Sequence, residues 1–280
     1  MTRADPPARV GPADPRDVDR LAADLTAVGM AAGRDLLVHC SMRRIGPVAG
    51  GPATLLAALR RVAGPDATMV VPAQTVGNST TGPVFRAATD GLDAAGRAAY
   101  EARLPGFDPA TTPSEGMGIL AEHLRQESGA ARSGHPLTSF AALGRRAVEI
   151  TERHDLDCHL GERSPLGRLY AADAAILLLG VGYDRCTALH LAEYRPEARR
   201  PVGPPPEQAY RCYVLVGGRR QRRDFHAPVL DASDFVQLGA AIEAHLPVRR
   251  GLVGAAPTRL LDLRAAVDFA TTWMAGHRRP

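Results

Sequence analysis

His190 and Glu193 stand three positions apart in the stretch TALHLAEY, the spacing at which two side chains meet on one face of a helix. A histidine changes charge near neutral pH, and a carboxylate beside it fixes its tautomer and stabilises its protonated form. The pair is the smallest general-base arrangement, suited to taking a proton from an attacking nucleophile. A core histidine satisfied by nearby backbone is the other reading, and the residue types alone leave the two about level.

Asp184, Cys186 and Thr187 lie just upstream, after the apolar run ILLLG. Short apolar runs that stop at glycine read as buried central strands, and α/β sheets carry their chemistry beyond the carboxyl ends of such strands. A second junction of this kind is VHCSMRRIGPVAGG at 38–51, where Ser41, Met42 and Arg43 separate a strand from a glycine-rich loop. Backbone amides at that junction could meet an anion or a carbonyl oxygen, with those of Ser41 and Met42 as candidate oxyanion donors. A tight turn with solvated arginines accounts for the same residues. Ser133 and His135 in ARSGHPLTSF read either as site residues or as a structural turn before proline. Cys40 and Cys186 read as nucleophiles or, more simply, as small buried hydrophobes.

Several chemistries are excluded. GVGYDR at 180–185 lacks the third glycine of a dinucleotide fingerprint, and the 34 basic side chains are all arginine, so no phosphate-gripping lysine exists. The four cysteines form no CxxC pair, which argues against a metal finger, and no metal is expected. A formal charge of +4 over 280 residues points to no nucleic-acid partner; RRQRR at 219–223 and HRRP at 277–280 read as solvated charge. No apolar run approaches the ~20 residues of a membrane span. Nor does the N-terminal stretch read as a signal peptide, so a cytoplasmic protein with no membrane partner is expected.

The elements that must position these residues follow from periodicity. Val18, Leu21, Ala22, Leu25 and Val28 mark one helical face, DLLVHCS at 35–41 a strand, PATLLAALRRVAG at 52–64 a helix and TMVVPAQ at 68–74 a strand. That alternation predicts a layered α/β architecture. Residues 75–113 lose periodicity and form a long excursion; helix signals return at 115–126 and 165–170, strand signals at 137–142. YRCYVLVGGRRQRRDFHAPV predicts a hairpin turning on Gly217-Gly218, and helices are expected at about 232–246 and 261–275. The proline-rich residues 1–15 are expected to be a flexible tail, followed by a single domain over 16–276 with the hairpin inserted near 205–228.

The ordered set VHCSMRRIGPVAGG, PAQT, ARSGHPLTSFAALG, GERSPLGRLY, LLLGVGYDRCTALHLAE and VGAAPTRLLDLRAAVDFATTWM resembles the aminoglycoside 3-N-acetyltransferase family over about residues 16–276. That resemblance implies an α/β/α fold with a mixed central sheet and an inserted antiparallel β portion. It implies acetyl-CoA as cosubstrate and an amine as acceptor, the 3-amino group of the deoxystreptamine ring of an aminoglycoside, hence a link to antibiotic resistance. It also implies His190 as base, with Glu193 as its partner or a substrate contact and Asp184 and Thr187 as supports. Ser41 to Arg43, Ser133 and His135 would line the coenzyme site, with Thr187 beside them. The chain departs from the family's His-Ser-Ser-Leu pattern at His39, Cys40, Ser41 and Met42, and carries Arg163 where the family has glycine; an arginine pointing inward would oppose a polycation. Acetylation of a different amine, or a catalytically silent relative that binds coenzyme A or a sugar-like ligand, stay open as alternatives.

Overall fold

A computed structural model of the protein describes residues 15–199 and 206–278. The tail expected at 1–15 therefore lies outside the described residues, apart from Pro15. In chain order, α1 (Val18–Ala27) precedes β1 (Leu36–Cys40), and the short α2 (Met42–Ile45) leads into α3 (Pro52–Ala63) and β2 (Met69–Pro72). The excursion holds α4 (Pro83–Ala88) and α5 (Ala94–Glu101), and is followed by α6 (Ile119–Gln126), β3 (Ala131–Arg132) and β4 (Phe140–Leu143). Next come α7 (Ala147–Thr151), α8 (Pro165–Ala171), β5 (Ala175–Leu179) and, after two 3₁₀ turns, α9 (His190–Glu193). The hairpin is β6 (Glu207–Val216) and β7 (Arg219–Pro228); α10 (Phe235–His245), β8 (Arg249–Val253), β9 (Ala256–Asp262) and α11 (Leu263–His277) end the order.

Seven strands form one mixed sheet in the order β3-β4-β2-β1-β5-β9-β8. β1 runs parallel to β2 and β5, while β4, β9 and β8 pair antiparallel. Every residue of β5 is buried, because a strand covered on both faces must be apolar throughout. The period of two divides its side chains: Leu177 and Leu179 join the core with α1, α3 and α6, whereas Ile176 and Leu178 join the core with α8, α10 and α11. Each fully buried Leu or Ile contributes about 2 kcal/mol, so the double-sided burial fixes where β1 and β5 end. The expected layered arrangement of helices around a mixed sheet is what forms.

The hairpin turns on Gly217 and Gly218, both with positive φ (56° and 74°), as a two-residue hairpin loop requires. It forms a separate two-stranded sheet and packs on the excursion rather than on the main sheet. Phe107 and Leu215 exchange backbone bonds with the opposite segment (Phe107 N–H to Tyr213 O, Leu215 N–H to Phe107 O, both 2.8 Å), and Phe85, Leu104 and Tyr213 share a small core. Arg220 of the RRQRR run is exposed and also donates to the carbonyls of Leu104 (2.7 Å) and Glu101 (2.6 Å).

Two local expectations need correction. The helix expected from residue 115 begins at Ile119, since Gly116 and Gly118 hold positive φ (72° and 88°), which ends helical propagation on that side. Residues 249–262 form β8 and β9, which periodicity did not single out. β8 is an edge strand with exposed Arg249 and Arg250, and β9 carries Pro257 near its start and Arg259 within it, so neither run reads from its residue types as a strand.

Candidate active site

β1 and β5 end side by side, with Cys40 in register with Leu179. Beyond them the chain turns into the segments at Ser41 and Gly180. A Cβ on Gly180 would lie 2.8 Å from Arg44 Cβ and 3.1 Å from Ala256 Cβ, so this glycine serves close packing of the two loops. A cleft of 760 Å³ opens there. Ser41, Met42 and Arg43 line it from the end of β1, Gly116 to Ala121 from the start of α6, and Asp184, Thr187 and His190 from the segment after β5. Another concavity, of 500 Å³ beside Arg60 and Gly144, is lined by no histidine, cysteine or carboxylate and offers no acid–base group.

The two 3₁₀ turns, Tyr183–Arg185 and Thr187–Leu189, deliver the chain to α9, where His190 and Glu193 share a face as their spacing predicts. His190 Nδ1 donates to Glu193 Oε2 at 2.5 Å. A carboxylate only accepts, so Nδ1 carries a proton, which leaves Nε2 as the nitrogen that can accept one when the ring is neutral. Phe235 packs against the imidazole with ring centroids 4.7 Å apart. The His190 side chain is 15% exposed and that of Glu193 only 5%, so an incoming group reaches the histidine and not the acid. Buried carboxylates need compensation. Glu193 Oε1 receives it from the Asp231 N–H (3.1 Å) and Arg278 Nη1 (2.5 Å), and Arg278 is itself gripped by both oxygens of Asp234, each at 2.7 Å.

The remaining residues singled out from sequence divide into two groups. Asp184 and Thr187 line the cleft with His190: Asp184 pairs with Arg185 (3.2 Å), and Thr187 Oγ1 lies 3.4 Å from His39 Nε2. Ser41, Met42 and Arg43 line it too, but the Ser41 amide already donates to Leu179 O at 2.9 Å. Of the two amides expected as oxyanion donors, only that of Met42 is left for a ligand. Ser133 and His135 lie in the buried interior and do not line the cleft. Ser133 Oγ accepts from the Phe140 N–H and bonds His154 Nδ1, both at 2.9 Å. His135 Nδ1 accepts from the amides of Leu137 and Thr138 at 3.1 Å, and its Nε2 donates to Leu156 O at 3.2 Å. Every polar atom of that ring is spent internally.

His135 forms a ring cluster with His154 and His159, at centroid distances of 4.6 Å to each, and Tyr210 of the hairpin covers His159 at 4.6 Å. Burial, reinforced by its two neighbours, holds His135 well below the ordinary histidine range, and burial pushes His154 and His159 down to about 4. Among the described residues, no group of three or more His, Cys, Asp or Glu has a geometry that could hold a metal ion.

Burial likewise pushes His39 down to about 4 and the thiols of Cys40 and Cys186 up to about 12. Both cysteines border the cleft as thiols rather than the thiolates a covalent route needs. Arg163 turns away: it pairs with Asp155 and Asp157 (2.6 Å each) and does not line the cleft.

Sequence reasoning missed His39, the Gly116–Ala121 wall and the Arg278–Asp234 pair. His39 closes an apolar strand, a position that reads as interior. Arg278 falls in HRRP, read as solvated charge, yet its side chain is only 23% exposed and reaches Glu193 across 85 residues of sequence. No local pattern announces such a contact.

The family model described as aminoglycoside 3-N-acetyltransferase matches residues 37–275. Among curated relatives, aminoglycoside N(3)-acetyltransferase VII of Streptomyces paromomycinus is 37% identical over 274 residues, covering 91% of this chain and 90% of its own. The SPbeta prophage-derived aminoglycoside N(3')-acetyltransferase-like protein YokD of Bacillus subtilis (strain 168) is 34% identical over 267 residues, covering 92% of each chain. The crystal structure of YokD superposes with a TM-score of 0.85 over 94% of both chains, at 33% identity. A structure titled AAC-IIIb binary with CoASH gives a TM-score of 0.80 at 31% identity, covering 95% of this chain and 99% of that one. The chain belongs to the aminoglycoside 3-N-acetyltransferase family, a family of acyltransferases.

Proposed function

We propose that the chain transfers the acetyl group of acetyl-CoA to an amino group of an aminoglycoside, the 3-amino group of its deoxystreptamine ring, directly and with His190 as general base. The observation that carries this reading is the imidazole held by a buried carboxylate at the end of β5, with Nε2 left for a substrate. Relatives named for this activity and the CoASH-bound neighbour support the substrate pair. As the amine nitrogen bonds to the thioester carbon, Nε2 takes its proton; the C–S bond breaks, and the imidazolium returns the proton to the departing thiolate. The Met42 amide, which borders the same cleft, is the donor this reading assigns to the thioester oxygen. Ser41, Met42, Arg43 and Thr187 are the residues through which the cleft would hold the coenzyme, and Asp184 faces the acceptor. A cleft of this size encloses a drug-sized ligand, so the nucleotide end of the coenzyme lies outside it.

A second reading, an acceptor amine carrying fewer charges, is favoured by one feature. Among the residues lining the cleft, Asp184 is the single carboxylate against Arg43 and Arg185. The test is coenzyme A release by purified protein across a panel of deoxystreptamine aminoglycosides and simpler amines. Turnover with the aminoglycosides supports the first reading, and turnover confined to other amines selects the second. Coenzyme binding without release from any amine would mark a catalytically silent relative.

A further inference from the structure

The buried environment of Glu193 raises a physical problem. A desolvated carboxylate 2.5 Å from an imidazole and without other compensation would hold that ring as a lasting imidazolium, unable to accept a proton. The structure supplies a competitor for the charge. Arg278 Nη1 reaches Oε1 of the same carboxylate at 2.5 Å, so one oxygen serves the histidine and the other the guanidinium. The guanidinium is fixed in turn: Nε and Nη2 engage the two oxygens of Asp234 at 2.7 Å each, and Nη2 also donates to Asp231 O at 2.7 Å. That fork uses the planar geometry that arginine has and lysine lacks. Three separate segments meet here: α9, the loop and N-terminus leading into α10, and the residue that follows α11.

We propose that Arg278, locked by Asp234, is a positioning residue that aims Glu193 at His190 and shares its charge, so that His190 stays free to take up and release a proton in each turnover. The proposal rests on the reading of His190 as the base. Arg278 touches neither the cleft nor His190, and it lies beyond the segment over which the family model matches, which ends at residue 275.

Other charged or titratable groups also face His190, and the test must separate them. Asp184 and Arg185 border the cleft and pair with each other, and His39 and Cys186 line it as neutral groups. The Asp231 carboxylate is occupied by the Ser233 N–H (2.8 Å) and Oγ (2.9 Å), which hold it below the usual range with help from Arg278 and His190. None of these contacts Glu193 through a cationic side chain, so replacing Arg278 removes one interaction of a distinct kind.

The experiment compares wild type with Arg278→Gln, Arg278→Lys and Asp234→Asn by two readouts: kcat/KM against pH, and the midpoint of the His190 ring titration by NMR. With Arg278→Gln the carboxylate charge falls wholly on His190. The acidic limb of the profile and the NMR midpoint should both move up by about one pH unit, and kcat/KM at neutral pH should fall by up to about tenfold and recover at higher pH. Arg278→Lys keeps the charge but loses the fork, and Asp234→Asn keeps the guanidinium but frees it, so each should shift part of the way and less than Arg278→Gln. Variants that lose stability or plateau rate with both midpoints unmoved would show a purely structural role and overturn the proposal. Should Arg278→Gln fail to fold, the Asp234→Asn midpoint decides in its place: an unmoved value overturns the proposal and an upward one supports it. The NMR midpoint reports on the ring whether or not His190 is the base, so near-wild-type turnover in His190→Ala would sink that reading without mimicking a failure of this one.

Discussion

His190 and His135 are both held by hydrogen bonds and both pack against aromatic neighbours, but the partners differ in kind. At His190 one nitrogen meets a carboxylate that is itself anchored, and the ring keeps contact with a 760 Å³ cleft. At His135 both nitrogens are used by backbone groups, two further histidines flank the ring, and the hairpin closes over the cluster through Phe225 and Tyr210. One region has an anion to stabilise added positive charge and room for the group that delivers a proton. The other has neither, and burial there penalises any charge. The same residue type is suited to proton transfer in one place and to holding a hairpin against the core in the other.

The largest expected effect that sharpens this contrast is on chemistry. His190→Ala should lower turnover by about 10²–10⁴ while leaving the unfolding midpoint close to wild type, as measured by steady-state coenzyme A release alongside thermal melts. Acid should act on the other region. His154 and His159 sit at about 4 in the folded protein, below the ordinary ~6.5. The unfolded chain therefore takes up protons first as pH falls. Stability from these groups is complete above pH ~6.5 and lost as pH drops through about 4, by at most about 3 kcal/mol for each. Urea melts at pH 7, 5.5 and 4.5 measure it, and a flat profile would show that the cluster is not held neutral.

His135→Ala should cost about 2–4 kcal/mol of stability, because it strands the Leu137 and Thr138 amides. The KM for acetyl-CoA should stay within about threefold of wild type, which amounts to less than 1 kcal/mol. A large rise in that KM in folded protein would return His135 to the coenzyme site that the family resemblance assigns it. The smallest effect is expected at the thiols. Cys40→Ala and Cys186→Ala should each keep most of the turnover, and mass spectrometry of protein incubated with acetyl-CoA alone should find no acetylated cysteine. An acetylated cysteine would establish a covalent route.

The contrast also explains which features could be read in advance. β1, β2 and β5 are apolar runs buried on both faces, and α3 and α10 show a helical apolar face, so local pattern identifies them. His190 and Glu193 were legible because their contact is local, three residues along a helix. Arg278 was not, since its charge is accounted for only once three distant segments converge. Ser133 and His135 show the opposite difficulty: motif order places them beside the coenzyme, but only the packing of the hairpin and of the segment at His154 and Leu156 shows that their polar atoms are consumed inside. β8 was hidden by the arginines of an edge strand, and β9 by a proline near its start.

The most direct test of the account is the ratio of kcat/KM for wild type over His190→Ala, measured with one acceptor amine from pH 6.5 to pH 9.5. In His190→Ala solvent must take the proton that the imidazole takes during attack, and hydroxide does so about tenfold more readily per pH unit, so the ratio should fall by up to about tenfold per pH unit as pH rises. A ratio that stays constant across the range would contradict the assignment of His190 as the base, whatever the size of the defect at neutral pH.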